Sequence, residues 1–288
     1  MLKMLKQLSA AALAVSLGLG TANASMLYKV SGNGMEEPSY LFGTIHIICQ
    51  SDFKVDDATT AAFNEADRIV LELDMDDPAV MQSMQSKVLS PGGEKISSYL
   101  DDDQQTLLDN FLTSNIGANL QAVDNLRPFI ISTMVMSSQM GCAQQVSYEG
   151  YFVQQAMAQE KQLDGLETVD FQMGVFEQIP HDEQVSWLIE SLEQPEQAKK
   201  DLKRMLDAYL AADVEGLYNL FSEYEAYSEY KALMLDNRNY DWQQKLDQQL
   251  QAPGSEFIAV GAGHLGGKAG MINLLKESGY TVEAVAQN

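Results

Sequence analysis

Four side chains in this 288-residue chain have the types and settings to do chemistry: His46, Glu72, Glu167 and His264. The chain holds three histidines, and two of them close the same short pattern, Gly43-Thr44-Ile45-His46 and Gly261-Ala262-Gly263-His264, more than two hundred residues apart. Each copy follows an apolar run, Tyr40-Leu41-Phe42 in the first and Phe257-Ile258-Ala259-Val260 in the second. A β-branched or aromatic run halted by glycine predicts a buried strand that breaks into a turn, so each histidine is expected at a strand's C-terminal end. Glu72 lies between Leu71 and Leu73 in a third such run, 68–74, where an ionised carboxylate is costly unless it is paired or binds a cation. Glu167 closes a fourth run, 162–167, expected as another interior strand.

If these strands lie parallel and adjacent, all four side chains open onto one rim, the place where open α/β sheets bind ligands. Two neutral imidazoles and two carboxylates match the ligand menu of a divalent first-row metal such as Mn, Co, Zn or Fe. Water bound to such a metal becomes a nucleophile near neutral pH, and a carboxylate or imidazole left off the metal can carry the proton. The chemistry this implies is metal-assisted hydrolysis. The second reading is a non-catalytic protein that uses the same pocket to hold a peptide, a metal or a haem-like ligand and regulates a partner. The His-Glu-x-x-His helix of common zinc proteases and the Gly-x-Ser-x-Gly nucleophile elbow are both missing. Gly261, Gly263 and Gly266 have dinucleotide-fingerprint spacing, but too little chain follows to complete a nucleotide-binding unit.

The elements that must position these residues form an α/β pattern, with α+β as the alternative arrangement: a central, mostly parallel sheet flanked by helices. A large helical insert, about 76–250, separates the two Gly-x-x-His motifs and is interrupted by the strand near 162–167. Pro128 at a first helical turn and Pro180 and Pro195 as punctuation fit that insert. Its methionines, among them Met81, Met84, Met134, Met136 and Met140, are expected as core filling. Arg238, one of four arginines, follows an Asn-rich turn with Asn239 beside it. It is either an ordinary surface arginine or a fixed cation for an oxyanion or carboxylate.

The ordered set of segments resembles the TraB/PrgY/GumN family, relatives of the Tiki metalloproteases. The pieces are Tyr40-Leu-Phe-Gly-Thr-Ile-His46, Leu71-Glu-Leu-Asp74, Leu126-Arg-Pro128, Gly165-Leu-Glu-Thr168 with Gln172, Arg238-Asn239, and 257–267 followed by Gly279-Tyr280. The resemblance implies a metallohydrolase, with a peptidase as one form of it, dependent on Mn or Co ahead of Zn. It also implies a fold similar to the erythromycin-esterase-like and ChaN-like proteins. His46, Glu72, Glu167 and His264 become the catalytic and metal positions, and Arg127, Glu149, Arg238 and Asn239 the substrate-binding ones. One departure stands out. Where the family pattern implies Asp, this chain has Glu149, whose longer arm moves the carboxylate by one methylene.

Residues 1–24 have the layout of a secretory signal peptide: Lys3 and Lys6, an apolar stretch from Leu8 to Gly20, then Ala22-Asn23-Ala24. The expectation is a secreted, periplasmic protein, residues 25–288 forming a single domain with no stable membrane anchor. Formal charge is −23, or −25 once Lys3 and Lys6 are removed, which argues against nucleic acid and anionic lipid as partners. A peptide or small molecule is the expected substrate, and the protein is expected as a monomer or weak dimer. Cys49 and Cys142, the two cysteines, can form one disulfide in an oxidising compartment or remain as buried thiols.

Overall fold

The computed structural model describes residues 25–286; the expected signal peptide, residues 1–24, lies outside the described residues. A six-stranded sheet forms the centre. Its strands are β1 (Leu27–Gly32), β2 (Ser39–Thr44), β4 (Arg68–Leu71), β6 (Gln162–Gly165), β7 (Glu256–Gly261) and β8 (Tyr280–Ala284), in the spatial order β6-β4-β7-β2-β1-β8. Two further strands, β3 (Ile48–Cys49) and β5 (Gln145–Val146), make a separate antiparallel ladder. In the main sheet β6, β4, β7 and β2 are mutually parallel, and β1 alone runs against its neighbours. The expected mixed α/β class with a mostly parallel sheet is what the chain adopts.

Of the four short parallel strands, β2, β4 and β7 are almost wholly buried, as strands with helices on both faces must be, whereas β6 buries only Leu163. Their register places Thr44 beside Gly261 and Leu71 beside both Ala259 and Gly165. All four therefore stop at one rim. Below it, Phe42, Phe63, Phe152 and Phe257 form an aromatic core, with Phe152 4.9 Å from Phe257 and edge-on to Phe42 at 5.4 Å between ring centroids. A second apolar cluster sits among the helices Asp102–Asn115, Pro128–Gln139 and His181–Glu193 and buries Leu108, Leu112, Ile131, Val135, Leu188 and Ile189.

Two expectations need correction. The strand that leads to Glu167 is not interior: β6 is an edge of the sheet, paired only with β4. The insert's methionines are not all core filling, since Met81 and Met136 are exposed. A helical period shows which residues share a face, but not which face another element covers. Among the described residues no helix is long and apolar enough to cross a membrane.

Candidate active site

The two motif glycines place the two histidines. A Cβ on Gly43 would lie 2.8 Å from Leu265 Cδ1 and 3.0 Å from Ala262 Cβ, so only glycine lets β2 approach the 3₁₀ turn Ala262–His264. A Cβ on Gly261 would point into the space between the functional side chains, 3.3 Å from Glu72 Oε1, 3.6 Å from His264 Cδ2 and 3.9 Å from His46 Nε2. That unfilled spot is where His46, Glu72 and His264 converge.

One half of the site is built on Glu149. Helix Tyr148–Ala158 starts at the N-cap Ser147, and Glu149 in its first turn is buried. Its Oε1 faces His46 Nδ1 at 2.9 Å and accepts from Thr44 Oγ1 at 2.5 Å, while Oε2 accepts from Ser147 Oγ at 2.6 Å. With Nδ1 held as the donor, His46 presents Nε2. Burial alone would lower the pKa of this imidazole, but the hydrogen bond and charge of Glu149 outweigh it and raise the value to about 9. Since 68% of the His46 side-chain surface is open to solvent, water screens part of this pull.

The other half is organised by Arg238, which is buried, as are Glu72, Glu167 and His264. Its Nη2 donates to Glu72 Oε2 and Glu167 Oε1, each at 2.6 Å, and its Nε to Glu167 Oε2 at 3.1 Å. Nη1 donates to the Met234 carbonyl and to His264 Nε2, both at 3.1 Å. The Asn239 amide nitrogen donates to the carbonyls of His264 and Ala269, which leaves its oxygen to accept from His264 Nδ1 at 2.7 Å. His264 is thus a neutral imidazole with its proton on Nδ1. Burial, followed by the nearby Arg238 charge, pushes its pKa down to about 3. Burial would raise the pKa of Glu72, yet the charge of Arg238 foremost, with that of His46 and the Gly261 N–H, 2.9 Å from Oε1, lowers it to about 2. Glu167 goes the other way, since burial outweighs the pull of Arg238.

All four expected site residues, His46, Glu72, Glu167 and His264, therefore meet at the rim, with Glu149, Arg238 and Asn239 around them. Arg127 does not join them: it is buried at the start of Pro128–Gln139 and pairs with Glu177 at 2.7 Å. Asn239, expected against substrate, has its whole side chain committed to His264 and the backbone around it. Three contributors were given no role in the site from the sequence, although Gln172 and Thr44 stand in the family-like segments. Trp242 donates from Nε1 to Glu167 Oε2 at 3.1 Å and packs on His264 with centroids 4.4 Å apart. Gln172 donates to both Glu72 and Glu167, and Thr44 to Glu149. Trp242 lies four residues after Arg238, one helical turn along the same face, and Thr44 lies inside the first motif. Those were the available signals.

The donor types suit a divalent cation, and each histidine has Nδ1 held by a second group, as metal-ligating histidines do. The arrangement does not. Both oxygens of Glu167, one oxygen of Glu72 and Nε2 of His264 already accept from Arg238. Among the described residues no group of three or more His, Cys, Asp or Glu is placed to hold a metal ion. The positive charge at the centre of the cluster is the guanidinium.

The fold and the rim define an α/β protein with paired Gly-x-x-His turns, two buried glutamates and a buried arginine at the strand ends. The chain belongs to the TraB/PrgY/gumN family, whose model matches residues 26–284. Over 106 residues it is 31% identical to a protein of Danio rerio named Metalloprotease TIKI2, a stretch covering 36% of this chain and 19% of that relative. The chain thus spans a small part of that relative's length. No solved structure matches.

Proposed function

We propose that the chain is a hydrolase in which His46 takes a proton from an attacking water. One observation carries this reading: an imidazole open to solvent, its Nδ1 clamped by the buried Glu149, turns Nε2 toward an unfilled spot bordered by Glu72. In that frame Glu149 is a positioning residue that aims Nε2 and makes it more basic, so the fraction of His46 able to accept a proton grows as pH rises toward the raised value of about 9. Glu72, ionised and held by Gly261 N–H and Arg238, orients the water from the opposite side. His264, neutral and packed on Trp242, walls the spot. The substrate class is a peptide or a small ester or amide, with a peptide favoured by the name of the Danio rerio relative. Secretion to the periplasm belongs to this proposal, supported by the character of residues 1–24 and by the disulfide described below.

Divalent-metal dependence, Mn or Co ahead of Zn, is the second reading. The convergence of His46 Nε2, Glu72 Oε1 and the His264 ring beside Gly261 favours it, and it requires Arg238 to withdraw from His264 and Glu72. A non-catalytic protein holding a peptide, metal or haem-like ligand is the third, favoured by how fully the cluster's donors and acceptors satisfy one another.

The test is turnover of residues 25–288 on a panel of peptides and esters, beside His46→Ala and His264→Ala, with Mn, Co and Zn binding measured on the same samples. His46→Ala is expected to lower kcat/KM by about 10²- to 10⁴-fold with the fold intact. Stoichiometric metal binding that both variants abolish would move the second reading to first. A folded wild type that turns over nothing and co-purifies with a ligand would establish the third.

A further inference from the structure

The His46–Glu149 pair joins two segments that are distant in sequence, and the chain links them a second time nearby. Cys49, three residues after His46, is disulfide-bonded to Cys142, seven residues before Glu149, with Cα atoms 5.9 Å apart. Between the bond and the pair lies the β3–β5 ladder, in which Ile48 faces Val146 and Cys49 faces Gln145, extended by Gln50 N–H to the Gln144 carbonyl at 3.0 Å. A ladder of two residues per strand is marginal on its own. Its β3 half is buried, with Ile48 and Cys49 both in the interior, while its β5 half is only half-buried: Val146 packs against the edge of the main core and Gln145 is tied to Ser137 by two hydrogen bonds. The Arg238 half of the site hangs from β4, β6, β7 and the helix Asn237–Gln249, none of which the disulfide touches.

We infer that the Cys49–Cys142 bond is a positioning element of the site that holds His46 on Glu149, so that activity follows the thiol–disulfide state. The inference rests on the hydrolase reading for its effect on turnover, but not for its effect on geometry. Cutting a link between residues 93 apart in sequence frees the unfolded chain and the loop segments it bridges. The locally weakest ladder is the first to open, and Ser147 and Glu149 follow directly upon it. Cys142 is half-buried between exposed Gly141 and Ala143, which gives a reductant access. In the reduction, a thiolate of a dithiol attacks Cys142 Sγ and Cys49 leaves as the thiolate. The second thiol then closes the reagent into its cyclic disulfide, leaving both cysteines reduced.

The experiment compares oxidised wild type, wild type reduced with dithiothreitol, and a Cys49→Val/Cys142→Ala variant whose valine refills the buried position. Two readouts are taken: the hydrogen-bonded Nδ1–H resonance of the His46 ring, assigned by its loss in His46→Ala, and steady-state turnover. Both bond-free forms are expected to lose the His46 signal while keeping that of His264. Their kcat should fall by about a hundredfold with KM little changed, and reoxidation should restore wild type but not the variant. A retained His46 signal and kcat in a folded bond-free form overturn the inference. So does global unfolding of both bond-free forms, which would make the bond a general staple. If oxidised wild type shows no turnover, the hydrolase reading fails, and the His46 signal still decides the positioning.

Discussion

Arg238 offers an N–H of Nη1 to Nε2 of His264 at 3.1 Å, so this histidine turns a lone pair, not a proton, toward the centre of the site. The same guanidinium satisfies Glu72 and Glu167. A buried cation shared among three side chains is hard to remove: each partner left behind is desolvated, and the two carboxylates then repel.

Arg238→Met is accordingly expected to destabilise the fold by about 3–5 kcal/mol, the cost of stranding buried charge. Adding Glu167→Gln to Arg238→Met should recover part of that loss, because an amide needs no counter-ion. Urea unfolding of wild type and the two variants, with equal m-values, measures both numbers. A cost below about 1 kcal/mol, in the range of surface ion pairs, would mean that the guanidinium is not the neutralising charge.

The motif glycines separate fold from function. Gly261→Ala puts a methyl into the spot bordered by Glu72, His46 and His264, with 3.3 Å as its nearest approach, so it should abolish turnover at little cost in stability. Gly43→Ala drives its methyl to 2.8 Å from Leu265 Cδ1 and 3.0 Å from Ala262 Cβ, an overpacking expected to cost about 1–3 kcal/mol. Thermal unfolding beside kcat separates the two variants. The opposite ordering, a stability loss at 261 and an activity loss alone at 43, would reject this division.

Much of this site was legible because its grammar is local. Gly43 and His46, like Gly261 and His264, lie within four residues of each other after an apolar run, and strand, turn and side chain follow from that alone. A carboxylate between Leu71 and Leu73 announced a need for a partner. The identity of that partner was not local: Arg238 lies 166 residues from Glu72, and nothing short of the sheet order β6-β4-β7 shows that helix Asn237–Gln249 crosses this rim. The same non-locality hid Arg127, whose partner Glu177 belongs to the end of a different helix, and left β6 looking interior. The apolar pattern of a short strand is the same at an edge that helices cover as in the middle of a sheet.

The two site histidines bend the pH dependence of stability in opposite senses. His264 has a folded value of about 3 against an ordinary 6.5. The unfolded chain therefore binds the extra proton between them, and stability rises with pH across that window. Glu72, lowered to about 2 from 4.5, adds a contribution that is present above 4.5 and lost as pH falls through its folded value. His46 is raised above 6.5, so its contribution is complete below 6.5 and is lost as pH rises through its folded value. The metal-free, oxidised protein should thus be most stable near about pH 6.5. Glu149→Gln removes the charge that raises His46, so its stability above that pH should fall less steeply than that of wild type. Replacing His264 by Gln should flatten the acid limb instead. Urea midpoints from pH 4 to 10 for the three proteins give the curves, and an alkaline limb that Glu149→Gln leaves unchanged would show that Glu149 does not hold His46 in solution.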